Sequence, residues 1–457
     1  MKELTIGEIA NIVKGEVVNL DSNKYVKLKA VIDSREATPG TFFAAFNGEK
    51  LDGHNFVQDA LDKGAEFVLV SKPVSTPHII VKDVILALTK LAKFNRDSLP
   101  NLKVIAITGS QGKTTAKDLI AHLLEIVGKT IASKASFNNE LGVPLLLLEC
   151  DEKTKFCVCE MGARHKGDIA HLVEIASPNI GVVLNVGHAH IGEFGSREKI
   201  AETKGELVAG IPDGGVAILG NYDPYTPMMA EGMGIKTIIF GESGNCDVRA
   251  ADIEIRDGRA SFDLVTSAGR APVTLQLLGS HQISNALAAA SVASELGLPI
   301  ESIAAALSTA EASSKWRMEL IEVGEIGIIN DSYNANPESM AAALRTLALL
   351  AQERGGVSWA ILGKMHELGE SSSDEHLKIG KIAEDVGIDN LISVGVKEYI
   401  TNGETAGHLV SNKDEVIKFI EHISPGDVIL VKASRAEELN LLIPVIVEDL
   451  KSRWVRL

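Results

Sequence analysis

Short apolar runs alternate with longer helix-like runs over most of this chain. Between about residues 99 and 312 the apolar runs are "KVIAIT", "FCVCEM", "IGVVLNV", "GVAILG" and "TIIFG". Apolar strands separated by amphipathic helices are typical of a parallel sheet with helices on its faces. The pattern therefore predicts a central α/β domain over residues 99–312, built on a mostly parallel sheet.

The alternation starts again from residue 313, with the apolar runs "IGIIND", "SWAILG", "NLISVG" and "DVILVKA". Helix-like stretches lie between them, which predicts a doubly wound, Rossmann-like domain over residues 313–457. Residues 1–98 mix short strands and turns around "DSREATPGTFFAAFNGEKLDGHNF" and predict a small N-terminal α/β domain. The fold class we predict is α/β with three domains, in keeping with a length of 457 residues.

Composition narrows the class of protein. The chain has 45 basic and 61 acidic residues and a formal net charge of −16, which argues against a nucleic-acid-binding surface. The N-terminal sequence lacks the apolar core of a signal peptide, and no apolar run is long enough to predict a membrane span. The four cysteines form no CxxC pair, which favours reduced, buried thiols over a zinc site. We therefore expect a cytoplasmic protein.

The segment "TGSQGKTT" stands between the apolar run "KVIAI" and a helix-like run. Such a loop turns backbone N–H groups and the start of a helix towards phosphate oxygens. Lys113 would reach the outer phosphates and Thr114 would bind Mg²⁺. Ile107 occupies the position of the first Walker glycine, although Gly109 can supply a flexible point nearby. The alternative is a glycine-rich turn with a solvated Lys and Thr.

Other polar residues follow strands that should end beside this loop. Glu160 ends "FCVCE", His188 and His190 follow "IGVVLNVG", and Lys204 lies further along the chain. The carboxyl ends of parallel strands share one edge of the sheet, so a carboxylate and a histidine there could hold a second metal ion. Each residue alone is also compatible with an ordinary surface or hydrogen-bonding position.

Together these segments resemble the Mur ligases of peptidoglycan precursor synthesis. The loop is similar to the family's TGxxGKTT variant, which lacks the first Walker glycine. Further segments resemble the branch of the family that adds D-alanyl-D-alanine: "SFNNELGVPLLLL", "EMGARHKGDI", "GSHQISNALAAA", "NDSYNANPESM" and "KMHELGE". The resemblance implies an ATP- and Mg²⁺-dependent ligase that activates a UDP-N-acetylmuramoyl tripeptide as an acyl phosphate. The amine of D-alanyl-D-alanine then attacks it, in a site that closes over its substrates.

The resemblance also implies roles for individual residues. Lys113 and the loop would bind ATP phosphates, Thr114 and Glu160 would bind Mg²⁺, and His190 would bind a second Mg²⁺. Lys204 matches a lysine that is often carbamylated. The complete set implied for ATP is Thr108, Gly109, Ser110, Gln111, Gly112, Lys113, Thr114, Thr115, Asn285, Arg317, Asp331, Asn334 and Asn336.

Some of these assignments have plain alternatives. Arg317, which the resemblance places on the phosphates, could be a surface charge. The segment "NDSYNANP" could be a strand-to-helix loop with Asn336 or Ser339 at a helix cap. Asp33, Ser34 and Arg35, which the resemblance places on the uridine diphosphate, could be a turn with an exposed arginine.

Two departures from the family pattern concern the third domain. The chain has Lys364 in "GKMHELG" where an aspartate is usual, and "KASR" where "KGSR" is usual. A sister ligase that adds the third stem residue is the nearest alternative, but the DNPR motif usual in its meso-diaminopimelate version does not occur here. A P-loop kinase or ATPase would leave Lys204, His190 and the N-terminal domain without a role. We expect a monomer, because one chain can supply the whole site.

Overall fold

The computed structural model describes residues 3–48, 51–134, 137–189, 191–311, 314–401 and 403–454. Its N-terminal unit is a small α/β arrangement, as predicted. Its elements are β1 (Glu3–Thr5), α1 (Ile6–Val13), β2 (Glu16–Val18), β3 (Tyr25–Lys27), β4 (Ala30–Val31), β5 (Phe42–Ala45), α2 (Val57–Asp62), β6 (Val68–Val70), β7 (His78–Ile80) and α3 (Val84–Asp97). The strand order is β2-β7-β6-β5-β4, with β2 antiparallel to β7 and the other pairs parallel.

The central unit carries the longest sheet. Its elements are β8 (Lys103–Thr108), α4 (Lys113–Glu125), β9 (Thr130–Ala132), α5 (Gly142–Glu149), β10 (Phe156–Glu160), α6 (Asp168–Ala176), β11 (Ile180–Val183), α7 (Ile191–Phe194), α8 (Arg197–Ala209), β12 (Val216–Gly220), β13 (Lys236–Gly241), β14 (Val248–Arg256), β15 (Arg259–Thr266), β16 (Gly269–Leu278), α9 (Gln282–Glu295) and α10 (Ile300–Thr309). The strand order is β16-β15-β14-β13-β12-β11-β8-β10-β9.

From β9 to β14 this sheet is parallel, as the sequence predicts. Strands β8 and β10 are buried on both faces, which explains why they appear as continuous apolar runs. Strands β14, β15 and β16 add an antiparallel ribbon that the sequence analysis did not predict. Its signals are an every-second-residue burial pattern in β15 and a tight turn at Asp257-Gly258, where both residues have positive φ.

The C-terminal unit is doubly wound, as predicted. Its elements are β17 (Glu319–Val323), β18 (Ile326–Asn330), α11 (Pro337–Arg354), β19 (Ser358–Leu362), α12 (Ser372–Asp385), β20 (Asn390–Val394), β21 (Ala406–Val410), α13 (Ile417–Ile420), β22 (Val428–Lys432) and α14 (Leu442–Trp454). The order is β17-β18-β22-β19-β20-β21, and only the edge pair β17-β18 is antiparallel among the described strands.

Helix α3 ties the N-terminal unit to the central one. Its buried side chains share one hydrophobic cluster with those of α5 and α6. The Asn95 amide donates to the carbonyl oxygens of Leu147 and Cys150, and Arg96 donates to those of Ala176 and Ser177. These bonds satisfy carbonyl oxygens at the carboxyl ends of α5 and α6. The contact between the two units is therefore partly polar as well as apolar.

All four cysteines are free and buried, as the sequence predicts. The described part of the chain contains no helix with the length and hydrophobicity needed to span a bilayer.

Candidate active site

The loop between β8 and α4 has the form expected for phosphate binding. Helix α4 begins at Lys113, and Gly112 before it has a left-handed backbone with φ of 82°. A Cβ on Gly112 would lie 2.3 Å from Asn285 Oδ1, so only glycine fits between the loop and α9. The N-terminus of α4 therefore opens towards the space in front of the loop.

Asn185 holds the loop from the neighbouring strand end. Its Oδ1 accepts hydrogen bonds from the backbone N–H groups of Ser110 and Gln111, at 3.1 and 3.2 Å. Gly187 N–H donates to Ser110 Oγ at 2.8 Å, which fastens the loop a second time. Sequence reasoning missed Asn185, although its position after the β11 run was a usable signal.

A carboxylate and a hydroxyl meet at the start of α4. Thr114 Oγ1 donates to Glu160 Oε2 at 2.9 Å, and Asn138 Nδ2 donates to Glu160 Oε1 at 2.8 Å. Glu160 is buried, so the alternative of a surface carboxylate is wrong. Hydroxyl and carboxylate oxygens are the ligands that Mg²⁺ prefers. Asn138, which the sequence analysis did not single out, orients this carboxylate.

Two lysines beside these oxygens are electrostatically unusual. Burial lowers the pKa of Lys113, while Glu160 raises it and Arg317 lowers it further. Lys113 Nζ donates to the Gly109 carbonyl oxygen at 2.7 Å. Burial, with the charge of Lys113, holds the pKa of Lys204 well below its usual range. Lys204 is therefore neutral over a wider pH range than an exposed lysine.

The C-terminal unit supplies the opposite wall. The Arg317 guanidinium lies 4.0 Å from the centre of the Tyr333 ring, and Arg317 is half-buried on the cavity wall. Asp331 Oδ2 is 2.6 Å from Lys432 Nζ, and Lys432 also donates to the Asn334 carbonyl oxygen at 2.9 Å. Asn336 caps α11 by accepting from Ser339 N–H, as the alternative interpretation anticipated.

These parts enclose one cavity of about 1040 Å³. Of the residues assigned from the sequence, it is lined by Ser110, Gln111, Gly112, Lys113, Thr114, Thr115, Glu160, Lys204, Asn285, Arg317, Asp331, Asn334 and Asn336. Thr108 is buried at the end of β8, beneath the loop rather than on the cavity wall. His190 lies outside the described residues.

A second cavity of about 990 Å³ lies between the N-terminal and central units. Asp33, Ser34 and Arg35 line it. Arg35 forms an ion pair of 2.6 Å with Asp33, and its hydrogen bonds lower the pKa of that carboxyl to about 2. Phe137 lines both cavities, so the two spaces adjoin at this residue.

Comparison with known families decides how this arrangement is classified. Family models match residues 30–106 ("Mur ligase family, catalytic domain"), 107–293 ("Mur ligase middle domain") and 316–435 ("Mur ligase, glutamate ligase domain"). Together they cover most of the chain. This chain belongs to the Mur ligase family. It is an ATP-dependent ligase, as the sequence resemblance implied.

Individual members of the Mur ligase family match nearly end to end. The UDP-N-acetylmuramoyl-tripeptide–D-alanyl-D-alanine ligase of Mycobacterium tuberculosis is 38% identical over 98% of this chain and 98% of its own. The enzyme of that name from Escherichia coli is 34% identical, over 98% and 99%. A crystal structure of MurF from Acinetobacter baumannii matches with a TM-score of 0.88 and 32% identity, over 98% and 99%. MurF from Thermotoga maritima in complex with ADP matches with a TM-score of 0.82 and 29% identity, over 93% and 99%.

One departure from the Mur ligase sequence pattern is explained by packing. In "KASR" the alanine that replaces glycine is Ala433, which is fully buried, with its Cβ facing Gly363. A Cβ on Gly363 would lie 2.8 Å from that of Ala433, so glycine at position 363 makes room for the alanine. Lys364, the other departure, is exposed, and its carbonyl oxygen accepts from Ser434 N–H.

We expect Gly112→Ala to weaken ATP binding by at least about tenfold, because the new methyl displaces Asn285 and distorts the loop. Gly214→Ala is the matched control, since Gly214 has φ of 80° with nothing within 4 Å of its added Cβ. Calorimetric titration with an ATP analogue measures both. Equal, small changes in affinity would mean that the contact with Asn285 does not shape the nucleotide site.

Removing one partner of the buried Asp331–Lys432 pair should lower the free energy of unfolding strongly. Lys432 is 1% exposed, so Lys432→Met leaves a buried carboxylate without its partner and should cost about 3 kcal/mol in urea unfolding. Lys24→Met breaks an ion pair with Glu66 whose lysine is 47% exposed, and should cost under about 1 kcal/mol. A loss at Lys432 no larger than that at Lys24 would contradict this expectation.

Proposed function

We propose that this chain joins D-alanyl-D-alanine to the terminal carboxylate of a UDP-N-acetylmuramoyl tripeptide, with cleavage of ATP to ADP and phosphate. The observation that carries this proposal is one cavity with a phosphate loop, buried carboxylate and lysines, adjoining a second cavity at Phe137. End-to-end similarity to ligases of that name supports the choice of substrates.

Charge neutralisation is the first task of the site. A carboxylate and ATP repel each other, and Lys113 and Arg317 would offset the negative charge on the transferring phosphoryl group. A carboxylate oxygen forms a bond to the γ-phosphorus as the bond to ADP breaks. The amine of the dipeptide then attacks the acyl carbon. The tetrahedral intermediate loses phosphate and a proton to give the amide.

Magnesium fits the oxygens on the cavity wall. Thr114 and Glu160 would hold one ion, and His190 with Lys204 a second one, by family resemblance. Bound Mg²⁺ would neutralise phosphate charge. Lys204 can serve only if its amine is converted to an anionic carbamate by CO₂. Carbamate formation needs a neutral amine, which burial and the charge of Lys113 favour at this position.

The substrate's uridine nucleotide would occupy the second cavity, against Asp33, Ser34 and Arg35. Its peptide would cross the ring of Phe137 to place the reacting carboxylate before Lys113. Asn285, Asp331, Asn334 and Asn336 would surround the adenosine. The dipeptide would approach from the C-terminal unit, and closure of that unit would protect the acyl phosphate from water. One chain then supplies the whole site, so we expect an active monomer located in the cytoplasm.

The alternatives are a sister ligase that adds the third stem residue, and an ATPase. Phosphate release should be measured with ATP, Mg²⁺, a UDP-N-acetylmuramoyl tripeptide and D-alanyl-D-alanine, omitting one component at a time. We expect release only with all four, and a pentapeptide product by mass. Turnover with another amino acid on a shorter precursor would identify the sister ligase. Release without any acceptor would identify an ATPase.

A further inference from the structure

Arg317 lies in the short segment that joins the central unit to the C-terminal one, between α10 and β17. Both of its neighbours have left-handed backbones, with φ of 62° at Trp316 and 49° at Met318. Residues with a Cβ rarely adopt this conformation, and it persists only where surrounding contacts hold it. The backbone that presents Arg317 is therefore a constrained turn rather than a loose linker.

The C-terminal unit holds one side of this turn. Tyr333 N–H donates to the Trp316 carbonyl oxygen at 3.1 Å, and Met318 N–H donates to Asp331 Oδ1 at 3.1 Å. The Arg435 guanidinium lies 4.1 Å from the centre of the Trp316 ring. The first two contacts fix the turn to the loop that contains Asp331, Asn334 and Asn336.

On the other side, a side chain of the central unit contacts the segment just before this turn. Ser314 Oγ donates to Asp118 Oδ2 at 2.6 Å, and Asp118 lies in α4, the helix that begins at Lys113. The second carboxylate oxygen, Asp118 Oδ1, is 2.8 Å from Lys117 Nζ. Because its two oxygens have separate partners, this carboxylate is held in one orientation.

Lys117 extends this connection towards Glu160, the proposed Mg²⁺ ligand. It is buried, and its Nζ donates to the Ser133 carbonyl oxygen at 2.6 Å. Ser133 Oγ in turn accepts from Glu160 N–H at 3.1 Å. A continuous polar chain therefore runs from the strand end that carries Glu160 to Ser314, next to the turn that carries Arg317.

We propose that Asp118 is a positioning residue, which anchors the interdomain segment through Ser314 so that Arg317 stays beside the phosphate loop. This inference rests on the proposed function, in which Arg317 contacts the nucleotide phosphates. The alternative is that the Asp118–Ser314 bond stabilises the fold without affecting Arg317. The two interpretations predict different nucleotide affinities in the absence of Arg317. If Asp118 acts by positioning the arginine, loss of the Asp118–Ser314 bond then has no further effect on affinity.

A double-mutant cycle on nucleotide affinity tests this. The affinity for a nonhydrolysable ATP analogue is measured by calorimetry for the natural chain, Ser314→Ala, Arg317→Ala and the double variant. We expect Ser314→Ala to weaken binding about tenfold, since it removes a hydrogen bond to a charged group. We expect no further loss when Ser314→Ala is added to Arg317→Ala. Ser314→Thr retains the hydroxyl and should bind like the natural chain.

The possible outcomes separate this inference from the proposed function. Equal losses from Ser314→Ala with and without Arg317 would overturn the positioning role. No loss from Arg317→Ala would overturn both this inference and the phosphate contact of Arg317. The omission assay above tests the overall reaction independently of either result. If Ser314→Ala fails to fold, Ser314→Cys replaces it in the cycle, because its thiol is only a weak donor to Asp118.

Discussion

Replacing Lys113 by alanine will lower ATP-dependent turnover by at least about a hundredfold, since the variant loses a cation that we propose offsets charge on the transferring phosphoryl group. The lysine stands at the start of α4 and lines the cavity in front of the phosphate loop. Its burial makes the charge costly to hold without phosphate nearby and strengthens its attraction once phosphate is present. The measurement is phosphate release at saturating substrates.

Lys153→Ala is the control for Lys113→Ala, because Lys153 is an exposed lysine of the same central unit. Both variants should fold, and the control should turn over like the natural chain. Substantial activity remaining in Lys113→Ala would remove the phosphate-loop assignment. Loss of activity in both variants would point to a general effect of charge on this unit.

Replacing Lys204 by alanine will abolish most turnover, and added short carboxylic acids will restore part of it. An acid that enters the space left by the side chain can supply the anionic oxygens that the carbamate is proposed to supply. The low pKa of Lys204 sets the expected pH dependence. Carbamate needs the neutral amine, so activity should fall as pH decreases through that lowered pKa and the amine becomes protonated.

Lys199→Ala is the matched control for this prediction. Lys199 lies on α8, the same helix, and its side chain is exposed. Carbon-13 NMR of the natural chain with labelled CO₂ provides a second readout, in which a carbamate signal should be present and should vanish in Lys204→Ala. Full activity of Lys204→Ala without added acid would dismiss a catalytic role, and a missing signal would dismiss carbamylation.

Local sequence signals were enough for most of the parallel strands and for the phosphate loop. Continuous apolar runs such as that of β8 arise because the strand is buried on both faces, and Gly112 marks a backbone that other residues avoid. The carboxyl ends of parallel strands share one edge of the sheet, and this rule correctly predicted that Glu160 and the loop lie in one cavity. The antiparallel ribbon β14–β16 had a signal too, at Asp257-Gly258, but the expectation of a parallel sheet obscured it.

Other features depend on contacts between distant parts of the chain, which periodicity does not reveal. Asn185 reaches the loop only because β11 lies beside β8, and Asn138 reaches Glu160 across a separate loop. Lys432 and Asp331 meet because β22 and β18 are neighbours in the sheet. Asn336 shows a further difficulty. Its side chain caps α11, and the residue also lines the cavity, but only the helix cap has a recognisable local sequence pattern. The domain boundaries at residues 98 and 312, and the roles of individual site residues, remain predictions.

The most direct test of the central claim is oxygen transfer from the tripeptide to phosphate. A UDP-N-acetylmuramoyl tripeptide labelled with oxygen-18 in its terminal carboxylate is incubated with the enzyme, ATP, Mg²⁺ and D-alanyl-D-alanine, and the phosphate is analysed by mass spectrometry. If the carboxylate attacks ATP and its oxygen leaves with phosphate when the amine attacks, each phosphate will carry one labelled oxygen and each pentapeptide will keep the other. Unlabelled phosphate would mean that water attacks ATP, and would contradict activation of the tripeptide as an acyl phosphate.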